Sequence, residues 1–266
     1  MSLNIPHFAH AAITRDERGV YTLKIRDAKS LNILASTVTL SLIEALQWVA
    51  GQEDARALII RGSGEKAFIG GANIYEMAEL DPEGARAFIT RLRRLCNAVM
   101  AVPVPTIARI PGFCLGAGME LAAACDIRLG TSAAVFGMPE VRVGIPSVIH
   151  ALLLPDLIGL GATNWLLLTG ETVDAQQALQ WGFLQFVCEE GDGALDELVE
   201  STVEPIVASG PRAVRAQKTL LQYWNEATVE AGLDRSVDVF GESFTTDEPK
   251  RYMAPFVTRK QGQEKK

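Results

Sequence analysis

Apolar and polar positions alternate through AAITRDERGVYTLKIR, residues 11–26, on both sides of Arg18-Gly19, which is the pattern of a β-hairpin. In the segment that follows, Leu40, Ile43, Leu46 and Trp48 recur at helical spacing. ALIIRG, Ala57 to Gly62, is a continuous apolar run closed by glycine and reads as a buried strand. Residues 74–100 predict helix, broken near Asp81-Pro82 because proline is tolerated only in a helix's first turn. Pro103 to Gly112 predicts a short buried strand, Met119 to Cys125 a helix, and Asp126–Leu129 and Val135–Met138 two more short strands. Gly161–Gly170 and Asp174–Trp181 predict helices, the second capped by Thr172 or Asp174, and Phe183–Cys188 a further strand. From Ala194 onward the pattern is wholly helical. Repeated strand, strand, helix order suits an α/β fold with short parallel strands and helical crossovers. The expected division is an α/β core over residues 1–195 and a helical region over 196–266.

Composition bounds this picture. The 266 residues, 48% hydrophobic, can bury a full core as one domain or as one domain with an appendage. No uninterrupted apolar run approaches the roughly 18 residues of a membrane-spanning helix. The N-terminal MSLNIPHFAH lacks a basic-then-apolar signal pattern, so a cytoplasmic location is expected. A net charge of −7 argues against a nucleic-acid or anionic-membrane partner. Arg91, Arg93 and Arg94 form a local basic group that reads as a solvated helix face. Cys96, Cys114, Cys125 and Cys188 sit among apolar neighbours without CxxC pairing and read as reduced, buried residues. His7, His10 and His150 lack ligand spacing, so no metal site is expected.

The candidate chemistry lies in Pro111 to Glu140, PGFCLGAGMELAAACDIRLGTSAAVFGMPE. Gly116-Ala117-Gly118 opens a helix whose first N–H groups lack intrahelical partners, and small residues there let a ligand approach. Glu120, one turn further in, interrupts an apolar run and must be paired, hydrogen-bonded or shifted in pKa. Glu140 follows Pro139 twenty residues on. Singly, Glu120 reads as a first-turn acid complementing the helix dipole and Glu140 as a solvated loop residue. Brought together in an apolar pocket, they would share a proton and supply a general acid and a general base. An upstream loop, KAFIGGANIYEM, Lys66 to Met77, carries Gly70-Gly71, which can expose the N–H of Ala72 before a helix begins near Asn73. Two such N–H groups can form an oxyanion hole.

Other chemistries find less support. GSGEKAF lacks the spacing of a phosphate loop, and no G-x-S-x-G elbow is present. Ser147, His150 and Asp156 are close in sequence but make a poor hydrolase triad.

The loop AFIGGANI and the helix start G-A-G-M-E-L-A, followed by Pro139-Glu140, resemble the crotonase (enoyl-CoA hydratase/isomerase) superfamily over nearly the whole chain. The resemblance implies a spiral of ββα units with a C-terminal helical trimerisation region, and assembly as a homotrimer or homohexamer. It implies an acyl-CoA thioester substrate held by Ala72 and Ala117 and acted on by Glu120 and Glu140. No cofactor is implied beyond the coenzyme A of the substrate itself. Lys29 and Leu31 match a segment that touches CoA in relatives, although Lys29 also reads as solvated surface. Asn73, Ile74 and Tyr75 fall in the substrate-binding loop. Phe256 and Arg259 match an aromatic and a basic residue that border a neighbouring subunit's CoA, although Phe256 also reads as core.

Three departures from the family pattern stand out. Asn73 replaces an aspartate and reads as a helix-cap exchange. Ala117 replaces a common glycine and would resist a positive φ. Pro146-Ser147-Val148-Ile149-His150 replaces a glycine-rich segment beside the acyl group, in a stretch one residue shorter. His150 there reads as a helix-face residue or as one entering the pocket. The resemblance favours hydration of a trans-2-enoyl-CoA. Alternatives are an enoyl-CoA isomerase, a CoA-thioester hydrolase or decarboxylase, and a non-catalytic acyl-CoA-binding subunit.

Overall fold

A computed structural model describes residues 4–191 and 193–263, with side chains of the last helix described as far as Val257. The chain divides into two compact units between Val203 and Glu204. The first begins with the expected hairpin, β1 (Ala11–Arg15) paired antiparallel with β2 (Val20–Ile25). Its turn is held by Asp16, whose Oδ1 accepts the N–H groups of Arg18 at 3.0 Å and Val20 at 2.9 Å.

The chain then climbs in repeated steps. After α1 (Ser36–Ala50) come β3 (Ala57–Arg61) and β4 (Ala67–Ile69), then α2 (Ile74–Met77) and α3 (Pro82–Met100). The next step is β5 (Thr106–Ile110), β6 (Phe113–Leu115) and α4 (Ala117–Ala123). A third is β7 (Ile127–Thr131) and β8 (Val135–Gly137), followed by two 3₁₀ turns, Pro139–Val143 and Ile149–Leu153, and α5 (Leu154–Thr169). The unit continues through β9 (Thr172–Asp174), α6 (Ala175–Gln180), β10 (Phe186–Cys188) and α7 (Ala194–Ala208), within which the division falls. Each step gives one strand to a six-stranded sheet, β1-β2-β3-β5-β7-β10, and the next to a four-stranded sheet, β4-β6-β8-β9. Beyond the hairpin the large sheet is parallel; in the small one only β9 runs antiparallel.

Three of these strands did not stand out in the sequence. β4, β6 and β9 have three residues each and lie inside loop or turn motifs that masked them, unlike the equally short β8 and β10. Thr172 lies in β9; Asp174 is the cap, its Oδ1 accepting Gln177 N–H at 2.8 Å. α5 begins at Leu154 rather than Gly161. Cys188 is half-buried, while Cys96, Cys114 and Cys125 are buried.

The core explains why the steps stack. α3 presents Phe88, Leu92, Leu95 and Val99 at helical spacing, and α1 presents Leu42, Leu46 and Val49. Burying each such side chain is worth roughly 1.5–3 kcal/mol. Phe136 of β8 meets Phe183 edge to face, with ring centroids 5.4 Å apart. Arg128, 3% exposed, donates to the carbonyls of Cys125 at 2.6 Å, Phe183 at 2.6 Å and Ala122 at 3.4 Å. It thereby satisfies acceptors at the end of α4 that the helix cannot.

The run Ile149–Thr169 is apolar and long enough to cross a membrane by length and composition, with mean hydropathy 1.5. It joins a 3₁₀ turn to α5 and is interrupted at Gly159 (φ 78°, ψ 155°), so its backbone is not one continuous helix.

The second unit contains α8 (Pro211–Glu226), α9 (Val229–Ser243) and α10 (Glu248–Gln263), in keeping with the wholly helical reading. The Glu248 carboxylate, 6% exposed, accepts the N–H groups of Arg212 at 3.2 Å and Ala213 at 2.9 Å, capping α8 from the start of α10. Within this unit Phe240, Phe244, Tyr252 and Phe256 line an open groove of about 720 Å³.

At Gly118, α4 lies close against Ile69 of β4. A Cβ there would overlap the Ile69 carbonyl oxygen and lie 2.8 Å from the Ile69 Cβ. Gly118→Ala is expected to cost roughly 1–3 kcal/mol and lower the melting temperature by several degrees. Gly161→Ala, where an added Cβ meets nothing within 4 Å, should leave it unchanged or raise it in the same calorimetric measurement.

Candidate active site

A cavity of about 120 Å³ opens in the first unit where the ends of β4 and β6 face the 3₁₀ turn after β8. Ala72, Ala117, Glu120 and Glu140 all line it, together with Ile74. Its walls are apolar: Met77, Phe88 and Leu92 from α2 and α3, and Val143, Ile145 and Val148 from the loop after β8.

The two amides arise from similar local geometry. Leu34 donates to the Gly71 carbonyl at 2.9 Å, and Asn73 N–H donates to the Leu34 carbonyl at 3.1 Å. This parallel bridge uses the groups on either side of Ala72 and turns the Ala72 N–H to the opposite edge. On the other loop, Gly116 N–H is held by the Gly137 carbonyl at 2.9 Å, and Ala117 begins α4. Among the described residues neither the Ala72 nor the Ala117 N–H has a partner. Each follows a glycine with positive φ, 122° at Gly71 and 51° at Gly116. The departure at Ala117 therefore carries no strain, because the left-handed conformation falls one residue earlier.

The carboxyl groups are buried in different ways. Glu120 is 4% exposed, and its Oε1 accepts Ala151 N–H at 3.1 Å. Burial pushes its pKa up to about 8; the Ala151 bond opposes that rise and the Glu140 charge adds to it. Glu140 is half-buried in the 3₁₀ turn, and its Oε2 accepts the Ser147 hydroxyl at 2.8 Å. Burial raises its pKa also, opposed by its own backbone N–H and by Ser147. A Cβ on Gly116 would overlap Glu140 Oε1, so this glycine also makes room for the second acid. Burial thus disfavours the ionised form of both carboxyl groups, and the two titrate as a pair.

Lys29, Leu31 and Tyr75 gather at one edge of this region. The Gly70 N–H donates to the Leu31 carbonyl at 2.7 Å, joining the two loops, and Lys29 Nζ lies 5.3 Å from the Tyr75 ring centroid. Tyr75 is 80% exposed. Asn73 occupies the cap position of α2, but its side chain makes no capping bond, so the cap-exchange reading is corrected: its Oδ1 is buried without a partner among the described residues. Glu76 of α2 instead reaches the N-terminus of α1, accepting the Ser36 N–H at 3.0 Å and the Ser36 hydroxyl. His150 is buried in the second 3₁₀ turn and does not line the cavity. Phe256 belongs to the second unit and is 76% exposed, so it is not core; Arg259 lies outside the residues whose side chains are described. The apolar walls and the Ser147–Glu140 bond escaped the sequence reading. Residues 74–100 read only as helix, and a void beside Phe88 and Leu92 has no pattern of its own.

A family model described as Enoyl-CoA hydratase/isomerase matches residues 15–265. The chain is 30% identical over 249 residues to a short-chain-enoyl-CoA hydratase of Clostridium acetobutylicum, covering 93% of this chain and 95% of that protein. It is 32% identical to a crotonyl-CoA hydratase of Syntrophomonas wolfei, with the same coverage. The crystal structure of an enoyl-CoA hydratase from Mycobacterium smegmatis superposes with a TM-score of 0.89 at 29% identity, covering 94% of this chain and 96% of that one. The chain belongs to the enoyl-CoA hydratase/isomerase family, with the α/β crotonase fold.

The Glu120 shift has a direct consequence for stability. Its folded pKa, about 8, exceeds the ordinary 4.5, so the folded chain holds this proton more tightly than the unfolded chain. The resulting stability is fully present below pH 4.5 and is lost as pH rises through about 8. Glu120→Gln, which cannot ionise, is expected to flatten the fall in melting temperature between pH 5 and pH 9, measured by thermal melts across that range.

Proposed function

We propose that this chain is an enoyl-CoA hydratase, adding water reversibly across the C2–C3 double bond of a trans-2-enoyl-CoA. The observation that carries the reading is the meeting, at one apolar cavity, of two unpartnered main-chain amides and two buried carboxyl groups. The Ala72 and Ala117 N–H groups would hold the thioester oxygen as negative charge develops on it. One such donor is worth roughly 3 kcal/mol of barrier. Glu120 and Glu140 would share the water: one accepts its proton as oxygen bonds to C3, and the other delivers a proton to C2. The reaction as written needs no cofactor beyond the coenzyme A that the substrate carries.

The cavity supports a small, uncharged acyl group. Its volume, about 120 Å³, holds roughly ten water-sized atoms, and among the described residues its charged lining is Glu120 and Glu140. Two of the relatives named above act on short enoyl-CoAs by name, which agrees with that size. Lys29 and Leu31 would contact the coenzyme A portion, while Asn73, Ile74 and Tyr75 would bind the substrate, Ile74 from the cavity wall. In a homotrimer or homohexamer built through the C-terminal helices, Phe256 and Arg259 would border a neighbour's ligand. The exposed apolar groove of the second unit supports such an assembly, because a monomer rarely leaves so many aromatic residues in water.

Hydration removes the thioester-conjugated double bond, so turnover is followed as lost ultraviolet absorbance with short, medium and aromatic enoyl-CoAs. Short chains are expected to turn over fastest. Glu120→Gln and Glu140→Gln, made separately, should each lower kcat by roughly 10²–10⁴. Loss in only one of them would favour an isomerase that works with a single acid.

A further inference from the structure

The short helix that follows Ala72 has little of its own to hold it. α2 spans four residues, Ile74–Met77, and none of them is buried. One turn is too short for helix propagation to stabilise. Packing does not anchor it either, since Ile74 is 57% and Tyr75 80% exposed. Upstream lie Gly70 and Gly71, whose backbone is freer than that of other residues. Yet this segment carries the Ala72 amide at the cavity.

Glu76 supplies the anchor. One of its carboxylate oxygens accepts the Ser36 N–H at 3.0 Å, and the other accepts the Ser36 hydroxyl. The same hydroxyl oxygen accepts Arg91 Nη2 at 2.9 Å, so α1, α2 and α3 meet at one atom. Of the three arginines that read as a solvated face, Arg93 and Arg94 are exposed while Arg91 is half-buried. Its guanidinium lies 5.9 Å from the ring centroid of Phe88, which lines the cavity. α1 has no side-chain cap of its own: Ala35 stands at the cap position, and no acid occupies the first turn. The Glu76 carboxylate brings the negative charge that such a helix end favours. Residues 34–36 therefore grip the Ala72 segment twice, through the Leu34 bridge at Ala72 and through Ser36 at Glu76.

We propose that Glu76 is a positioning residue that locks α2 to α1 and α3 and so fixes the direction of the Ala72 N–H. The inference rests on the hydratase reading for its kinetic part and on geometry alone for its structural part. A segment attached only at the Leu34 bridge can pivot about it; a second attachment four residues on defines its orientation. Bonds to a carboxylate are the stronger kind, which suits a clamp on a helix that packing does not hold. Glu76 does not line the cavity, so it acts through the Ala72 amide and not on a ligand. A main-chain donor is worth most when it already points to where charge develops.

Glu76→Ala, Glu76→Gln, Ser36→Ala and Ser36→Thr test this, with melting curves to confirm that each folds. Amide hydrogen exchange reads the clamp without any ligand. In Glu76→Ala the Leu34 and Asn73 amides, which form the bridge, are expected to exchange roughly tenfold faster, the scale of one charge-assisted bond, while amides of β3 and β5 keep their rates. Ser36→Ala should move the same two amides in the same direction. Ser36→Thr, which keeps the hydroxyl, should leave them at wild-type rates, and Glu76→Gln, which keeps one acceptor oxygen, should fall in between. In turnover, Glu76→Ala should lower kcat roughly tenfold with little change in KM, the mark of an interaction made in the transition state. A saturated short acyl-CoA labelled with ¹³C at the thioester carbonyl should, when bound to Glu76→Ala, show an infrared carbonyl stretch closer to its free value than when bound to wild type. Wild-type exchange at Leu34 and Asn73 in both Glu76→Ala and Ser36→Ala would overturn the proposal, as would a raised KM with kcat intact; if Glu76→Ala does not fold, Ser36→Ala alone decides. A wild-type protein inactive on every enoyl-CoA would sink the hydratase reading, while the exchange rates would still decide whether Glu76 holds the Ala72 segment.

Discussion

The site depends on burying two acidic side chains against the preference of each for water. A carboxylate moved into an apolar wall loses solvation that only hydrogen bonds or a proton can offset. Burial raises both pKa values, opposed at Glu120 by a single backbone donor and at the less deeply placed Glu140 by its own backbone N–H and a hydroxyl. The asymmetry comes from environment, since the two residues are chemically identical. Two carboxyl groups in unlike environments can serve as acid and base at one pH, which is the premise of the hydration proposed above.

The ββα steps explain how the surrounding chain keeps those groups in place. Each step ends a short strand of the small sheet beside the next helix or turn, so the loops after β4, β6 and β8 emerge side by side. Those loops carry Ala72, Ala117 and Glu140. Close approach is what the glycines at these positions supply: Gly118 lets α4 lie against β4, and Gly116 leaves room for Glu140. Main-chain donors cannot drift among rotamers, so a cradle made of them is pre-organised by the fold.

How much of this was legible in the sequence follows from the range of each interaction. A charge within an apolar run, Glu120, and small residues before a helix, Gly116 to Gly118, are local signals and stood out at once. The long strands and helices did too, because their periods repeat. The strands β4, β6 and β9 are hidden among glycines, prolines and cap-like residues, and Thr172 was open to being taken as a cap. Ala117 looked strained because its φ could not be known; the positive value lies on Gly116. Asn73 looked like a cap because its position is right, yet its side-chain Oδ1 is buried without a partner among the described residues. The bond from Ser147 to Glu140 spans seven residues and depends on a left-handed Gly144. No spacing rule would have revealed it.

That last case bears on how a family site can vary. Where a glycine-rich segment would offer backbone flexibility and open space, this chain has Pro146-Ser147-Val148, with a rigid φ, a hydroxyl and an apolar wall. Val148 and Ile145 narrow the cavity from the same loop that carries the hydroxyl. A single replaced stretch thus touches both the size of the acyl space and the charge of the neighbouring acid. The two effects are joined by the backbone: shortening or stiffening this loop to reshape the cavity necessarily moves the group that faces Glu140. A change in acyl preference in this branch of the family would therefore be expected to carry a change in proton affinity with it, because one loop sets both.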